Sequence, residues 1–338
     1  MQTPKPWLRS IASIASVALL PLAVACGEPS IVDGEIAEGP ESGAQTLHAA
    51  AVATRYPIVL MHGFNASPTS YWGFNGVAAQ LRRDGHQVTE TSVPPYDSVP
   101  VRARYLATQI DALLRSSGAR KVNLIAHSMG GLDARYLISS LGYGDRVASL
   151  TTISTPHGGS GIADVALRLT PGIADDAINA LARAWGETFS DVASKANMRA
   201  ALSSLAEGNA PAFNAANRND ARVYYQSYAG VSSVLGISNP KDDVACAGRW
   251  VTTPGRTDRM DALLVGAATF VAHGLYLLPN DGMVTVDNAK WGTFQGCIAA
   301  DHLDEVGQIK DSGTDPTTGF NHLSFYRSVA AALQARGF

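Results

Sequence analysis

The sequence predicts one α/β domain with a mostly parallel central sheet and helices on both faces. Short apolar runs, typical of buried strands, alternate with amphipathic helical patterns. The chain has 338 residues, of which 46% are hydrophobic, which is enough for a sizeable core. Polar and small residues follow the apolar runs, as they do at the edge of a parallel sheet where active sites lie.

The first 26 residues indicate an export signal rather than a part of the fold. Lys5 and Arg9 precede an apolar stretch, residues 11–25, which ends in small residues and is too short for a typical membrane span. Cys26 fits a lipoprotein cleavage site, whose cysteine carries the lipid; ordinary cleavage nearby is the alternative. We therefore expect a secreted protein, either released or anchored at the outer membrane or cell surface through Cys26.

Composition separates a tether from the folded domain. Residues 27–54 are rich in Gly, Pro, Ala and acidic side chains and show no apolar period, so they predict a flexible tether before a domain over residues 55–338. The net charge of −3 and the lack of a basic block argue against a nucleic-acid partner. Cys246 and Cys297 most simply form one disulfide in an exported protein, and two buried free thiols are the alternative.

Four apolar runs predict strands, and polar residues follow the first three. The runs are residues 57–61, 121–126 and 147–153, and a fourth that begins at residue 222. Helical patterns cover residues 101–114 and 131–141 between them. Because parallel strands end at the same edge of the sheet, the residues after these runs are the candidates for a site.

Ser128 is the candidate nucleophile. It follows a predicted strand and precedes a predicted helix, which is the setting of a nucleophile elbow. The strained turn of such an elbow requires small residues two positions before and two positions after the serine, and Ala126 and Gly130 meet this requirement. The helix that starts at the elbow favours negative charge beside the serine.

An oxyanion hole needs two amide donors that face the tetrahedral intermediate. Met129, directly after the nucleophile, supplies one donor. The loop after the first strand supplies the other, and Phe64 in His62-Gly63-Phe64 is the candidate. His62 itself is interpreted as a residue that orients this loop rather than as a base.

Asp281 and His302 are the candidate acid and base, because this kind of site has the order serine, acid, histidine along the chain. Asp281 lies in a turn after the apolar run 275–278, which is interpreted as a strand. His302 follows 21 residues later, among acidic neighbours. His302 would take the proton of Ser128, and Asp281 would fix its tautomer. His322 has the right order too and is the rival base.

From about Tyr56 to the C-terminus, the sequence resembles the true lipases of the Pseudomonas, Burkholderia and Proteus type, which belong to the α/β-hydrolase superfamily. The matching stretches are residues 56–63, 127–132, 151–157, 280–282 and 302–306. The resemblance implies an α/β-hydrolase fold with a helical lid, a monomer, and triacylglycerol hydrolysis at an oil–water interface through an acyl-enzyme on Ser128. No organic cofactor is implied, and a lipase-specific foldase is a candidate partner. A carboxylesterase or polyester depolymerase is the alternative, and a non-catalytic surface lipoprotein is the alternative from another class.

The resemblance also implies one structural Ca²⁺ ion that steadies the loop bearing the histidine. Asp304 and Asp258 match its carboxylate ligands, Gln308 a side-chain carbonyl and Ser312 a backbone carbonyl. Oxygen ligands of these kinds suit calcium. Asp261 is the alternative to Asp258. The disulfide of the family has a wider spacing, so a bridge between the two cysteines of this chain would be a different one.

A lid is expected at about residues 160–205, centred on an amphipathic helix over residues 171–192. Apolar residues recur there at every fourth position and form one stripe, with charged residues off it. The lid would cover the site in water and open at an interface, where its apolar stripe finds lipid. A helix that simply packs its stripe on the core is the alternative.

Overall fold

A computed structural model describes residues 53–64, 73–168, 195–308 and 313–338 of the chain. The predicted export signal, nearly all of the predicted tether, the lid helix over residues 171–192 and Ser312 lie outside the described residues. In the part of the chain that is described, none of the helices combines the length and the apolar character that a membrane crossing requires.

Six parallel strands form the central sheet, in the order β2-β1-β3-β4-β5-β8. These strands are β1 (Ile58–Met61), β2 (Val88–Glu90), β3 (Val122–His127), β4 (Val147–Ile153), β5 (Tyr224–Gly230) and β8 (Thr293–Ile298). A small second sheet pairs β6 (Ser232–Ser233) with β7 (Asp258–Arg259). The predicted fold class, α/β with a mostly parallel sheet, is confirmed.

Helices follow most of these strands, as parallel pairing requires. They are α1 (Val77–Arg83), α2 (Val99–Ser117), α3 (Met129–Ser139), α4 (Gly161–Arg168), α5 (Lys195–Leu205), α6 (Ala210–Ala216), α7 (Lys241–Ala245), α8 (Ala262–Val271), α9 (Val286–Ala289) and α10 (His322–Ala335). Three short 3₁₀ turns lie at Tyr143–Asp145, Gly274–Tyr276 and Asp304–Val306. The predicted helices over residues 101–114 and 131–141 correspond to α2 and α3.

The residues of β1 show why both faces of the sheet are covered. All four are buried, and they alternate between two clusters. Ile58 and Leu60 pack with apolar residues of α1 and α10. Val59 and Met61 pack with apolar residues of α2 and α3. A strand with an apolar residue at every position therefore belongs inside the sheet, as the sequence analysis expected.

The structure corrects one predicted strand. The apolar run 275–278 does not continue the sheet but contains the end of a 3₁₀ turn, and Tyr276 and Leu277 are 54% and 60% exposed. His273 and Leu277 have positive φ angles of 55° and 45°, which a strand does not accommodate. Asp281 is therefore placed by an irregular segment, although its neighbour Asn280 bridges to Ser232 of β6.

Candidate active site

Ser128 lies between the end of β3 and the first residue of α3, with φ 54° and ψ −132°. A positive φ at a residue with a side chain is strained, and such strain is typical of a nucleophile elbow. Gly130 explains why small neighbours are needed, because a Cβ there would lie 2.6 Å from the carbonyl oxygen of Met61. The elbow is therefore packed directly against the end of β1.

The loop after β1 contacts the same serine. A Cβ on Gly63 would lie 2.7 Å from the Cβ of Ser128 and 3.1 Å from its Oγ. Phe64 follows in this loop, is buried, and packs edge-on against Tyr96 with a centroid separation of 5.1 Å. Met129, also buried, begins α3. The two predicted oxyanion donors are thus carried by the two segments that meet at Ser128.

His62 orients this loop. Its Nε2 accepts a hydrogen bond from the backbone N–H of Val93 at 3.3 Å, so its Nδ1 carries the proton and donates to the Gly63 carbonyl at 3.0 Å. Burial, and then the charge of Arg102, lower the pKa of His62 to about 3. The imidazole is therefore neutral, which fits an orienting group rather than a base.

Asp281 and His302 are brought together. His302 Nδ1 lies 2.8 Å from Asp281 Oδ2, and the backbone N–H of His302 donates to the Asp281 carbonyl at 2.9 Å. Asp281 Oδ1 accepts from the N–H groups of Met283 at 2.8 Å and Val284 at 2.7 Å. Burial acts to raise the pKa of Asp281, but the attraction of His302 and these hydrogen bonds outweigh it and hold the pKa below its usual value.

The pair lies beside the elbow. The rings of His302 and His127 are 4.5 Å apart, and His127 is the residue before Ser128. His302 is buried, and Asp281 has no exposed surface. A serine, a histidine and a carboxylate at the carboxyl edge of one sheet are the groups that nucleophilic ester cleavage needs.

Glu305 lies next to this pair, and no role was predicted for it from the sequence. It is completely buried, accepts from Ser154 Oγ at 2.5 Å, and faces His127 Nε2 at 3.0 Å. Burial, and then the charge of Asp281, raise the pKa of Glu305 well above its usual value. Burial likewise lowers the pKa of His127. The site therefore holds a second buried carboxyl group, and its position three residues after His302 was the available sequence signal.

Two further histidines contact residues outside the Asp281–His302 pair. The rival base His322 begins α10 and places Nε2 2.9 Å from the Asn75 carbonyl oxygen. His157 lies between Thr152 Oγ1 and Arg135.

Three carboxylates form a candidate cation site on the loop that bears His302. Oxygens of Asp258, Asp301 and Asp304 lie within 4.8 Å of one another. Among the described residues, Asp258 Oδ2 is buried with no hydrogen-bond partner. Burial and then the charges of Asp301 and Asp315 raise the pKa of Asp258 to about 8, and burial raises that of Asp301 to about 6. A divalent cation would relieve this repulsion, so the donor set fits calcium.

Only some of the expected calcium ligands are in this group of carboxylates. Asp258 and Asp304 are in it, and Asp301 is an addition that sequence reasoning missed, although it directly precedes His302. Asp261, the alternative to Asp258, instead caps α8 by accepting from the N–H of Leu263 at 2.8 Å. The side-chain amide nitrogen of Gln308 faces the Gly73 carbonyl oxygen at 3.5 Å.

Cys246 and Cys297 form a disulfide, as expected, and both are completely buried. The bridge joins the C-terminus of α7 to β8, across 51 residues of sequence. It therefore ties the segment after β6 to the edge strand of the central sheet.

Comparisons with known proteins agree with this geometry. A family model described as alpha/beta hydrolase fold matches residues 56–260. Triacylglycerol lipase 2 of Saccharomyces cerevisiae is 30% identical over 81% of this chain and 76% of its own length. Triacylglycerol lipases of Vibrio cholerae and Burkholderia plantarii are 43% and 36% identical over 35% and 44% of this chain. These bacterial matches cover only 38% and 40% of the relatives' own lengths.

Solved structures show the same fold. A metagenomic carboxyl esterase superposes with a TM-score of 0.60 at 18% identity, over 89% of this chain and 82% of its own. Staphylococcus hyicus lipase superposes with a TM-score of 0.56 at 20% identity, over 83% of this chain and 95% of its own.

Proposed function

The chain belongs to the α/β-hydrolase fold family, among the triacylglycerol lipases, and from this premise we propose that it hydrolyses triacylglycerols through an acyl-enzyme on Ser128. The observation that carries the proposal is the strained Ser128 against Gly63, with the buried pair of His302 and Asp281 at the same edge of the sheet. The lipase relatives point to the same substrate class.

Acylation uses the three side chains in turn. Ser128 Oγ attacks the carbonyl carbon of the ester while His302 Nε2 takes the hydroxyl proton. The ionised Asp281 accepts a hydrogen bond from the Nδ1–H of His302 without taking the proton, which fixes the tautomer and stabilises the imidazolium. His302 then gives the proton to the leaving alcohol, and the acyl group remains on Ser128 as an ester.

The oxyanion of the tetrahedral intermediate is held by backbone amides. Met129 N–H lies at the start of α3, where the helix dipole favours negative charge. Phe64 N–H, from the loop after β1, is the second donor. Such donors act on the transition state more than on the ground state, so they raise kcat.

Deacylation repeats these steps with water as the nucleophile. His302 takes a proton from a water molecule, which attacks the acyl carbonyl carbon, and the proton passes to Ser128 Oγ as the bond to the acyl group breaks. The products are a carboxylic acid and the free enzyme.

Calcium has a structural part in this proposal. Asp258, Asp301 and Asp304 would hold the ion, with Gln308 and Ser312 as the further ligands that the family resemblance implies. When bound, the ion supplies positive charge that offsets the repulsion of the three carboxylates. The loop that carries His302 is then held in place by residues on both sides of the histidine.

The proposal includes export and action at an oil–water interface. The predicted signal over residues 1–26 and the buried disulfide support export, since disulfides persist in oxidising compartments. Residues 171–192 are the proposed lid. The same proposal includes anchoring through Cys26, a lipase-specific foldase as a partner, and a monomeric state. These three points are supported by the sequence alone.

The test measures hydrolysis against substrate concentration across the solubility limit. Short-chain and long-chain triacylglycerols are compared, with Ser128→Ala as the control. A rate that rises sharply once emulsion forms, with long chains turned over, is the expected result. Saturation below the solubility limit with long chains untouched would contradict lipase action, and equal rates for wild type and Ser128→Ala would contradict the nucleophile.

A further inference from the structure

Arg102 of α2 is completely buried beside the loop that carries Phe64. Its Nη2 donates to the carbonyl oxygens of His62 at 3.1 Å and Gly63 at 3.2 Å, and its Nη1 donates to that of Pro94 at 2.7 Å. Removing a guanidinium from water costs free energy, and here the buried group donates to three backbone carbonyls. This cost makes it an unusual group for fixing a loop. Nothing in the catalytic steps above uses it.

The Gly63 carbonyl belongs to the same peptide unit as the N–H of Phe64. Because a peptide bond is planar and trans, the C=O and the N–H of one unit point in opposite directions. The Gly63 carbonyl receives two donors, Arg102 Nη2 and His62 Nδ1. These two hydrogen bonds therefore fix the direction of the Phe64 N–H, and they polarise it as a donor.

Arg102 also contacts the helix that carries the other donor. Its Nε lies 2.8 Å from Asp133 Oδ2, and both side chains are buried. Asp133 is on α3, four residues after Met129, so it lies one turn along the same face of that helix. One side chain thus links the segment of Phe64 to the segment of Met129.

We propose that the Arg102–Asp133 pair is a positioning device for the oxyanion hole, which sets the Phe64 N–H and the Met129 N–H relative to each other. The inference rests on the proposed function, because it takes these amides as the oxyanion donors. Arg102 then stabilises the transition state through these two amides, without contacting the substrate.

The test replaces the pair together, as Arg102→Met with Asp133→Leu, so that no unpaired charge is left in the interior. The matched control is Asp111→Leu with Arg146→Met, which removes a partly exposed ion pair of 2.7 Å between α2 and the residue before β4, at the opposite edge of the sheet. A third variant, Arg102→Lys, keeps the charge but loses the planar fork.

Four quantities are measured for each variant. They are kcat and KM on soluble p-nitrophenyl butyrate, the inhibition constant of an alkylboronic acid that forms a tetrahedral adduct on the serine, and Tm. Loss of one oxyanion donor costs about 10²–10³ in kcat, so a misaligned donor is expected to cost about 10–100-fold. We expect the boronic acid to lose affinity by a similar factor while KM stays within about twofold.

The outcomes separate the two ideas. If the folded double variant matches its control in kcat and in affinity for the boronic acid, the positioning role is overturned while the proposed function stands. Wild-type enzyme without Ser128-dependent hydrolysis would overturn the proposed function itself. If the double variant does not fold, Arg102→Lys decides: a loss of about tenfold in kcat and in boronic acid affinity supports the role, and unchanged values overturn it.

Discussion

Close approaches around Ser128 decide which residues the site tolerates. Gly63 and Gly130 each lie where a Cβ would meet a neighbouring atom at 2.7 Å or 2.6 Å. The first would meet the side chain of Ser128, and the second would meet the end of β1. The strained turn at Ser128 therefore depends on glycine at two positions that are far apart in sequence.

The two candidate bases can be separated by substitution. We expect His302→Ala to lower kcat on a soluble ester by about 10⁴-fold or more, because the base and its link to Asp281 are lost together. His322→Ala removes the contact of α10 with the Asn75 carbonyl and should lower Tm with little effect on kcat. Steady-state kinetics on both variants is the measurement. The opposite pattern would assign the base to His322.

The lowered pKa of Asp281 predicts a pH dependence of stability. A carboxyl group whose pKa is lower in the folded state stabilises the fold above its usual pKa of 3.8, and this contribution is lost as the pH falls through the lower folded value. Asp281→Asn removes it. We expect the Tm difference between wild type and Asp281→Asn to be largest near neutral pH and to shrink between about pH 5 and pH 3.

Thermal unfolding followed by circular dichroism, at pH values from about 7 to 3, measures this difference. A constant difference across the range would show that the ionised form of Asp281 is not the one that stabilises the fold. The same variant should lose about 10⁴-fold in kcat, because the tautomer of His302 is no longer fixed.

At the scale of elements, the segment 301–308 does more than carry a histidine. It holds Asp301 and Asp304 of the carboxylate cluster, and Glu305 at its 3₁₀ turn faces His127. The third carboxylate, Asp258, comes from β7 of the small sheet. A cation between β7 and this segment would therefore act on the position of His302.

We expect chelation to lower both stability and activity. Without a cation, three carboxylates within 4.8 Å repel one another, so EDTA should lower Tm by roughly 5 °C or more, and Ca²⁺ should restore it. The Asp258→Asn variant removes one carboxylate and should show a smaller response to both. Tm is measured by differential scanning fluorimetry, with Asp243→Asn on α7 as the control. An equal response of wild type and Asp258→Asn would place the ion elsewhere.

At the scale of the whole molecule, the described residues after the predicted tether form three apolar clusters. The three apolar clusters contain buried residues from Ile58 to Leu333. One hydrogen bond joins the first described residues to the last residue, since the backbone N–H of Arg55 donates to the Phe338 carbonyl at 2.7 Å. Among the described residues, the two ends of the domain therefore lie side by side.

Removal of residues 1–52 should leave the domain intact. We expect Tm to change by no more than about 2 °C, and kcat on a soluble ester to stay within about twofold, because every residue of the three clusters found in the described part of the chain is kept. Chromatography, Tm and kinetics of the shortened chain measure this. A shorter variant that also lacks Arg55 and Tyr56 should be less stable, and equal loss in both would contradict the assignment of residues 27–54 as a tether.

Predictions from the sequence succeeded where the pattern is local. The run before Ser128 is mostly apolar because β3 is buried on both faces, and this made the strand and the elbow predictable. The run 275–278 is also apolar, but it lies between Gly274 and Pro279 and has positive φ angles at Gly274 and Leu277 that a strand does not accommodate. Apolar content alone does not separate a buried strand from such a turn.

The sequence by itself determined the fold class, the strands β1, β3, β4 and β5, the helices α2 and α3, and the candidate set of Ser128, Asp281 and His302. These follow from periodicity, from small residues at a strained turn, and from the resemblance to lipases. Only the tertiary structure decided that Glu305 contacts Asp281 and that Asp301 joins the carboxylate cluster. It alone also decided that Arg102 donates a hydrogen bond to the loop of Phe64. The reason is physical: these contacts join residues 24 to 43 positions apart, and burial, which shifts the pKa values of the carboxyl groups, depends on every element packed around them.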